Sequence, residues 1–475
     1  MSKFLKTAAA ALAIAAIATP ALADQKISGY FRTQFIADNI ASPNMNSDNK
    51  RTNSQIDNRF RLMYQNNLNE YVSFVYFAEV DTAWGQSGKA AAGQGGTDGA
   101  DGVNVETKNV YLDFKVPDSI VSARIGVQGV GLGPDGILVG DDMAAARVNL
   151  QISPVANVTA VYSKWREGDG LPAATVTAPN TDAREWDDVD FYAATLNLKP
   201  SDALKMNLDL GYLDVNSLSG SSSLATKANS FGAAAELDQK AADLGFTQAD
   251  IYAAGFGADA NLGTAKVTGY LAYTGGQVED TDPAAPVNQD LDLNGFMATV
   301  KGTAKVGMAD AGLRLTWYSA DDDATDNEFS GFVGDLSGGV NEFSGENLSI
   351  FFTDPIYNNT NGGRRALIDA AYKGHGLLAL NATANANFTK NCYGKFGAGY
   401  FMATEDGANE VGSAKADKDL GFEVAARVGH KIAEKVDLSL GGAYAFLGDF
   451  YKGTAVGSPD PDNVYKVSVA LNVPF

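Results

Sequence analysis

The sequence predicts an all-β fold, a transmembrane antiparallel β-barrel of about eighteen strands, or sixteen or twenty if one pair is merged or added. Three observations carry this. Residues 463–475 (NVYKVSVALNVPF) put Tyr465, Val467, Val469, Leu471, Val473 and Phe475 on every second position, with Lys466, Ser468, Ala470 and Asn472 between them. Side chains alternate across a strand, so one face is apolar and the other polar. The same alternation recurs along most of the chain, and its connections switch between short turns and long polar loops. Finally, beyond the amino terminus no apolar stretch approaches the ~18 residues of a membrane-spanning helix, so any crossing of a bilayer is made by strands.

The chain opens with Lys3 and Lys6, an apolar run from Thr7 to Ile17, and Ala21-Leu22-Ala23. That is the charged, apolar and small-residue order of an export signal, with cleavage expected after Ala23. The remaining 24–475 segment is the barrel. Its first strand, Lys26 to Asp38, sets Ile27, Phe31 and Phe35 against Tyr30, Arg32 and Gln34. The second, Ser54 to Asn66, sets Ile56, Phe60, Leu62 and Tyr64 against Asp57, Arg59 and Arg61. The third runs from Tyr71 to Trp84 with Glu79 and Asp81 on its polar face, the fourth from Val105 to Val116, and the fifth from Ile120 to Gln128. Further strands are expected at 144–153, 157–166, 187–199, 204–216, 251–262, 264–278, 293–306, 311–320, 376–388, 392–404, 420–432, 436–448 and 463–475. Short turns at 117–119, 154–156, 200–203, 263, 389–391 and 433–435 alternate with the long loops. In barrels of the bacterial outer membrane the short turns are periplasmic. Two loops are ambiguous: 228–245 has helical composition, and Leu348–Thr353 with Ala366–Lys373 could add a hairpin.

Composition agrees. The 51 Gly, 24 Phe and 19 Tyr of the 475 residues suit turns and interfacial aromatic rings. Loss of residues 1–23 removes two lysines and no acids, taking the formal charge from −21 to −23. Such acidity argues against nucleic acid as a partner. Cys392 is alone, which excludes an intramolecular disulfide or a cysteine-based metal site.

On its signal peptide, a first strand directly after it, the alternation of turns and loops, and terminal Phe475, the chain resembles the trimeric outer-membrane porins of Gram-negative bacteria. A narrower match is Gly126 to Asp142 (GVQGVGLGPDGILVGDD), between the fifth and sixth strands, where porins carry a third loop that folds into the pore. The resemblance implies a homotrimer in the outer membrane, in contact with lipid and lipopolysaccharide. It also implies a water-filled channel for passive diffusion of ions and small hydrophilic solutes, and an inward fold for residues 129–143. Alternation turns Arg32, Arg59, Arg61, Arg124 and Arg147 toward the lumen, and the inward loop would then set Asp135, Asp141 and Asp142 across from them. Opposed charges of this kind orient solute dipoles and discriminate ions. The alternative is that the arginines pair with Asp57, Glu79, Asp81 and Asp113 on the wall, with the loop outside. Asn58 stands on the outward face between Ile56 and Phe60, where lipid would leave its amide unpaired and a neighbouring subunit could satisfy it.

Other motifs point elsewhere only weakly. Gly131-Leu-Gly133-Pro-Asp-Gly136 has the spacing of a dinucleotide fingerprint, but Pro134-Asp135-Gly136 reads as a turn where that fingerprint needs a helix. Asp321-Asp322-Asp323 with Asp326 and Glu328 lacks the glycine and glutamate spacing of a calcium loop; it reads as a solvated acidic loop, with divalent bridging to lipopolysaccharide as the lesser alternative. His375 and His430 have no nearby serine and acid, so no catalytic arrangement and no cofactor is expected. Two other functions compete with diffusion: a structural envelope protein without an open pore, and a sheath for electron-carrying partners.

Overall fold

The computed structural model describes residues 24–40, 52–86, 96–99, 103–166, 188–215, 248–279, 290–322, 326–334, 336, 346–352, 374–406, 417–452 and 462–475. Among them nineteen strands form one sheet. The first nine are β1 (Asp24–Asp38), β2 (Asn53–Asn67), β3 (Val72–Ala83), β4 (Glu106–Lys115), β5 (Val121–Leu132), β6 (Val139–Ser153), β7 (Ala156–Arg166), β8 (Val189–Ser201) and β9 (Leu204–Val215). Then come β10 (Gln248–Asn261), β11 (Ala265–Glu279), β12 (Leu291–Val306), β13 (Ala309–Tyr318) and β14 (Glu328–Phe329). The chain ends with β15 (Leu377–Asn387), β16 (Cys392–Met402), β17 (Asp419–Ala433), β18 (Val436–Leu447) and β19 (Val464–Pro474). Two-residue β14 pairs parallel with β12 near one rim. The other eighteen each pair antiparallel with both neighbours, and β1 with β19 closes the ring. A closed ring leaves no strand edge unpaired, which is the condition for crossing lipid with strands.

Alternation dictates the two faces. Ile27, Phe31, Phe35, Leu208, Leu210, Phe256, Leu271, Leu313 and Val428 all stand exposed on the outside, as lipid-facing side chains should. Outward Tyr162, Tyr192, Tyr212 and Tyr252 fall in one register across β7 to β10. Their rings stack at 5.3, 6.1 and 5.1 Å. They lie toward the long-loop ends of their strands, where amphipathic rings anchor a barrel at the head groups. At the opposite rim Gly263 and Gly307 take positive φ (87° and 62°) in short turns.

The seam joins the two ends of the chain. Phe475 N–H donates to Gly29 O at 3.0 Å, and Gly29 N–H donates to Phe475 O at 3.1 Å. The Phe475 ring stacks on Phe60 with centroids 6.0 Å apart.

Four expectations are amended. Asn58 needs no neighbouring subunit: register sets Thr33 and Thr82 beside it. Thr33 Oγ1 donates to Asn58 Oδ1, and Asn58 Nδ2 donates to Thr82 Oγ1 at 3.3 Å. Alternation over the expected 420–432 strand sets Leu420 outward with Phe422; it is instead fully buried, because the β16–β17 register slips there and Gly421 adopts φ 118°, as at a bulge. Residues 348–352 form no strand; the backbone amides of Ser349, Ile350 and Phe351 are taken by a side chain of the wall. β5 and β6 extend inward of their expected ends to Leu132 and Val139, because they continue to pair beyond the last β4 partner. Residues 1–23, 228–245, Asp323, Thr353 and 366–373 lie outside the described residues.

Candidate pore constriction

Arg59 and Arg61 occupy consecutive inward positions of β2, opposite Asp81 and Glu79 of β3. Arg59 donates to Asp81 through Nε and Nη2 at 2.8 and 2.6 Å, a two-pronged contact. Arg61 Nε pairs with Glu79, which also lies 3.6 Å from Arg59. Arg124 on β5 grips Asp113 of β4 at 2.7 and 2.9 Å and lies 4.0 Å over the Tyr111 ring. Wall carboxylates therefore hold three of the expected arginines. Arg32, 6% exposed, shares a cavity of about 600 Å³ with Arg59 and Arg61. Lys431 near the end of β17 and Lys435 of the β17–β18 turn line the same cavity, which places it toward the short-turn rim. Arg147 instead lines a second cavity of about 440 Å³ with Asn207, Asp209 and Asp259. Its Nε has no hydrogen-bond partner among the described residues.

The tip of the β5–β6 hairpin runs over the inner face of β9 to β11. A β-carbon added at Gly211 of β9 would sit 3.0 Å from Leu132. One added at Gly133 would sit 2.9 Å from the Tyr270 hydroxyl on β11. Leu132, Ile137, Leu138 and Val139 are at most 2% exposed, and they share an apolar cluster with inward Phe191, Leu213 and Ala253. Burial of this run holds the tip down, at about 1.5–3 kcal/mol per large apolar side chain. Beneath it, Tyr270 donates to Asp209 at 3.0 Å, and Thr195 donates to the same carboxylate at 2.8 Å. Asp135, at φ 55°, forms part of the tip's tight turn. Asp141 accepts the Asp142 N–H at 2.7 Å. Asp142 takes Lys108 as its ion partner and Asn109 Nδ2 at 2.8 Å, so this acid turns back to β4. The ion pairs thus join Arg59, Arg61, Arg124 and Asp142 to their own stretches of wall.

A second inward segment, residues 346–352, escaped the sequence reading. Glu346 Oε1 accepts Lys301 Nζ of β12 at 2.7 Å and Arg314 Nε of β13 at 2.8 Å. Glu423 of β17 accepts the backbone N–H groups of Ser349, Ile350 and Phe351 at 2.7, 3.1 and 2.8 Å. Glu423 and Lys301 were legible as inward by alternation; the loop residues that meet them were not. Leu336 N–H donates to Leu138 O at 2.8 Å, tying the long β13–β15 connection to the hairpin tip. Of the acidic loop, Asp321 is buried and accepts Ser330 N–H at 3.3 Å, which is a structural contact. Cys392 Sγ lies 3.0 Å from His430 Nδ1 across the β16–β17 pair.

No family model matches the chain, and no curated protein matches it. Among solved structures the chain is similar to OccAB1 of Acinetobacter baumannii at 12% identity, covering 95% of this chain and 96% of that one, with a TM-score of 0.52. It is also similar to the outer membrane protein opdK of Pseudomonas aeruginosa at 11% identity, over 95% and 99% of the two chains, with a TM-score of 0.51. OccK5 (OpdH) of the same organism gives 11% identity over 95% and 98%, with a TM-score of 0.50. At these identities the shared property is the barrel fold over nearly its whole length.

Proposed function

We propose that this chain is a porin of the bacterial outer membrane, passing ions and small hydrophilic solutes by passive diffusion. The observation that carries it is the contrast between the two faces of the ring. The outside is a continuous apolar band, whereas the inside carries paired charges around two cavities, an arrangement that is costly unless water fills the lumen. In this reading the constriction comprises Arg32, Arg59, Arg61, Arg124 and Arg147 on the wall with Asp135, Asp141 and Asp142 on the hairpin. Residues 1–23 are the export signal, and lipid and lipopolysaccharide surround the mature barrel. Likeness to solved outer-membrane proteins supports this reading. The test is reconstitution of the purified chain into planar bilayers, where discrete conductance steps are expected. Silence at high protein concentration would overturn it.

A second reading, a structural barrel without an open pore, is favoured by one feature. The long-loop half of the lumen holds an apolar core that includes Leu138, Phe351, Phe352, Phe401 and Tyr451. The same bilayer experiment separates the two. A homotrimer is what the porin resemblance implies, though Asn58, satisfied within its own wall, lends it no support. Native mass in mild detergent decides, with three copies expected from a trimer and one from a monomer.

A further inference from the structure

We infer that residues 346–352 are a detachable strap that holds the lumen in a narrow resting state, and that the Glu423 carboxylate is its latch. The inference rests on the porin reading for its effect on conductance, but not for the latch itself. Three consecutive backbone N–H groups of irregular chain close on the two oxygens of one fully buried carboxylate. Bonds to an ionised acceptor are the stronger kind, and each replaces a bond that water would otherwise make. Lys466 Nζ of β19 holds the carbonyl of Ser349 at 3.1 Å. At the other end Glu346 sits on Lys301 and Arg314. Asn347 Nδ2 donates to Phe396 O at 3.0 Å and to Asn385 Oδ1 at 3.1 Å. One short segment is therefore pinned to six strands of the arc from β12 to β19.

The seat is shaped for it. A β-carbon on inward Gly397 of β16 would lie 2.7 and 2.8 Å from the carbonyl oxygens of Glu346 and Asn347. The attachments are also reversible in kind. Each hydrogen bond above joins the strap to a side chain or to a carbonyl oxygen of the wall, and none belongs to the ladder between strands. Lifting the strap thus leaves the ring of strands whole. The seated state carries a penalty besides: among the described residues Glu346 Oε2 and both amide atoms of buried Asn381 have no hydrogen-bond partner, which disfavours it by their lost hydration. Water admitted by a lifted strap would satisfy them. Leu348, Ile350, Phe351 and Phe352 of the strap are each at most 1% exposed, with Phe351 stacked on Phe401 of β16 at 4.5 Å. An apolar insert packed on the wall in this way keeps water from its part of the lumen until it lifts.

Two variants lift the strap by unrelated means. Glu423→Gln removes the latch charge and presents an NH2 to N–H donors. Gly397→Ala keeps every charge and wedges the two carbonyls away. In planar bilayers both should spend about tenfold more time in a larger conductance level than the native chain, the effect of losing roughly one charge-assisted hydrogen bond. In detergent, amide hydrogen exchange at residues 349–351 should rise by about the same factor. Native exchange and native conductance in both variants, each shown folded by heat-modifiable mobility, would overturn the inference. Faster exchange with unchanged conductance in a conducting barrel would overturn the gating role. Faster exchange with silence in every form, the native chain included, would uphold the latch and overturn the porin reading, and with it the gate. If Glu423→Gln fails to fold, Gly397→Ala carries the same readouts alone.

Discussion

Deleting Phe475 should destabilise the barrel at its seam. β19 ends on Pro474, which has no N–H to give, so the last donor along that edge is Phe475 itself. Its deletion removes two backbone hydrogen bonds to Gly29, at 3.0 and 3.1 Å. Each is worth roughly 1 kcal/mol net. The ring stacked on Phe60 adds about 0.5–1.5 kcal/mol. Together the loss is about 2–4 kcal/mol, which lowers the folded-to-unfolded ratio by one to three powers of ten, roughly. Phe475→Ala keeps the backbone bonds and should lose only the ring's share. The assay is refolding into detergent or lipid across a urea series, read as the heat-modifiable band. The expected order of midpoint is native, then Phe475→Ala, then the deletion. A deletion that refolds with the native midpoint would show that the seam does not depend on this residue. A Phe475→Ala variant as weak as the deletion would show that the ring, and not the backbone pair, holds it.

Replacing Arg59 and Arg61 by Ser frees Asp81 and Glu79 on the inner wall. Conductance and cation selectivity should both rise, read from reversal potentials in a salt gradient, and unchanged values would place the constriction elsewhere. Replacing Asp141 and Asp142 by Asn releases Lys108 and should shift the reversal potential toward anions; a shift toward cations would contradict the assignment. His375, half-buried in the mouth against Phe450, is held below the ordinary histidine value of 6.5 by loss of hydration. The unfolded chain then takes up the proton first as pH falls. The mouth contact of Thr404 and Glu405 N–H with His375 O should be intact above about pH 6.5 and loosen below it. Faster exchange of those two amides at pH 5 than at pH 7.5, after correction for intrinsic rates, is the expected result, and equal protection would refute it.

The wall was legible because its signal is local. Two-residue periodicity specifies inward and outward faces wherever one face meets lipid, and Arg59, Glu79 and Asp81 fall where that rule puts them. The strap was not legible because its partners are remote: Ser349 meets Glu423 across 74 residues, and its backbone donors carry no side-chain signature. At the hairpin tip the anchor was not legible, since Leu132 and Leu138 look like any apolar residues of a glycine-rich run. Lys108 was missed for a different reason. The register shift between β3 and β4 upsets the alternation there, and it is Lys108 that pairs with Asp142.

One local signal for inserted segments was nevertheless present. Along β9 the inward positions run Asn207, Asp209, Gly211, Leu213, Val215, polar at the short-turn end and apolar toward the long loops. β12 repeats the change from Lys301 and Thr299 to Met297, Leu293 and Leu291, and β15 from Thr383 and Asn381 to Ala379 and Leu377. A lumen filled with water from rim to rim gives no reason for such a change, because buried apolar side chains need apolar partners. The partners are the hairpin tip and the strap. β2 does not change over, with Arg61, Arg59 and Asp57 along it, and β3 runs the opposite way, from Val75 and Phe77 to Glu79 and Asp81, so both inner faces are charged well toward the long-loop end. On the porin reading, a hydrated path with both inserts seated is expected along the β1–β3 wall, where ion pairs tolerate water, and not through the apolar half. Substitutions along β2 and β3 should then act on the narrow resting state, whereas those at the strap should act on the larger level.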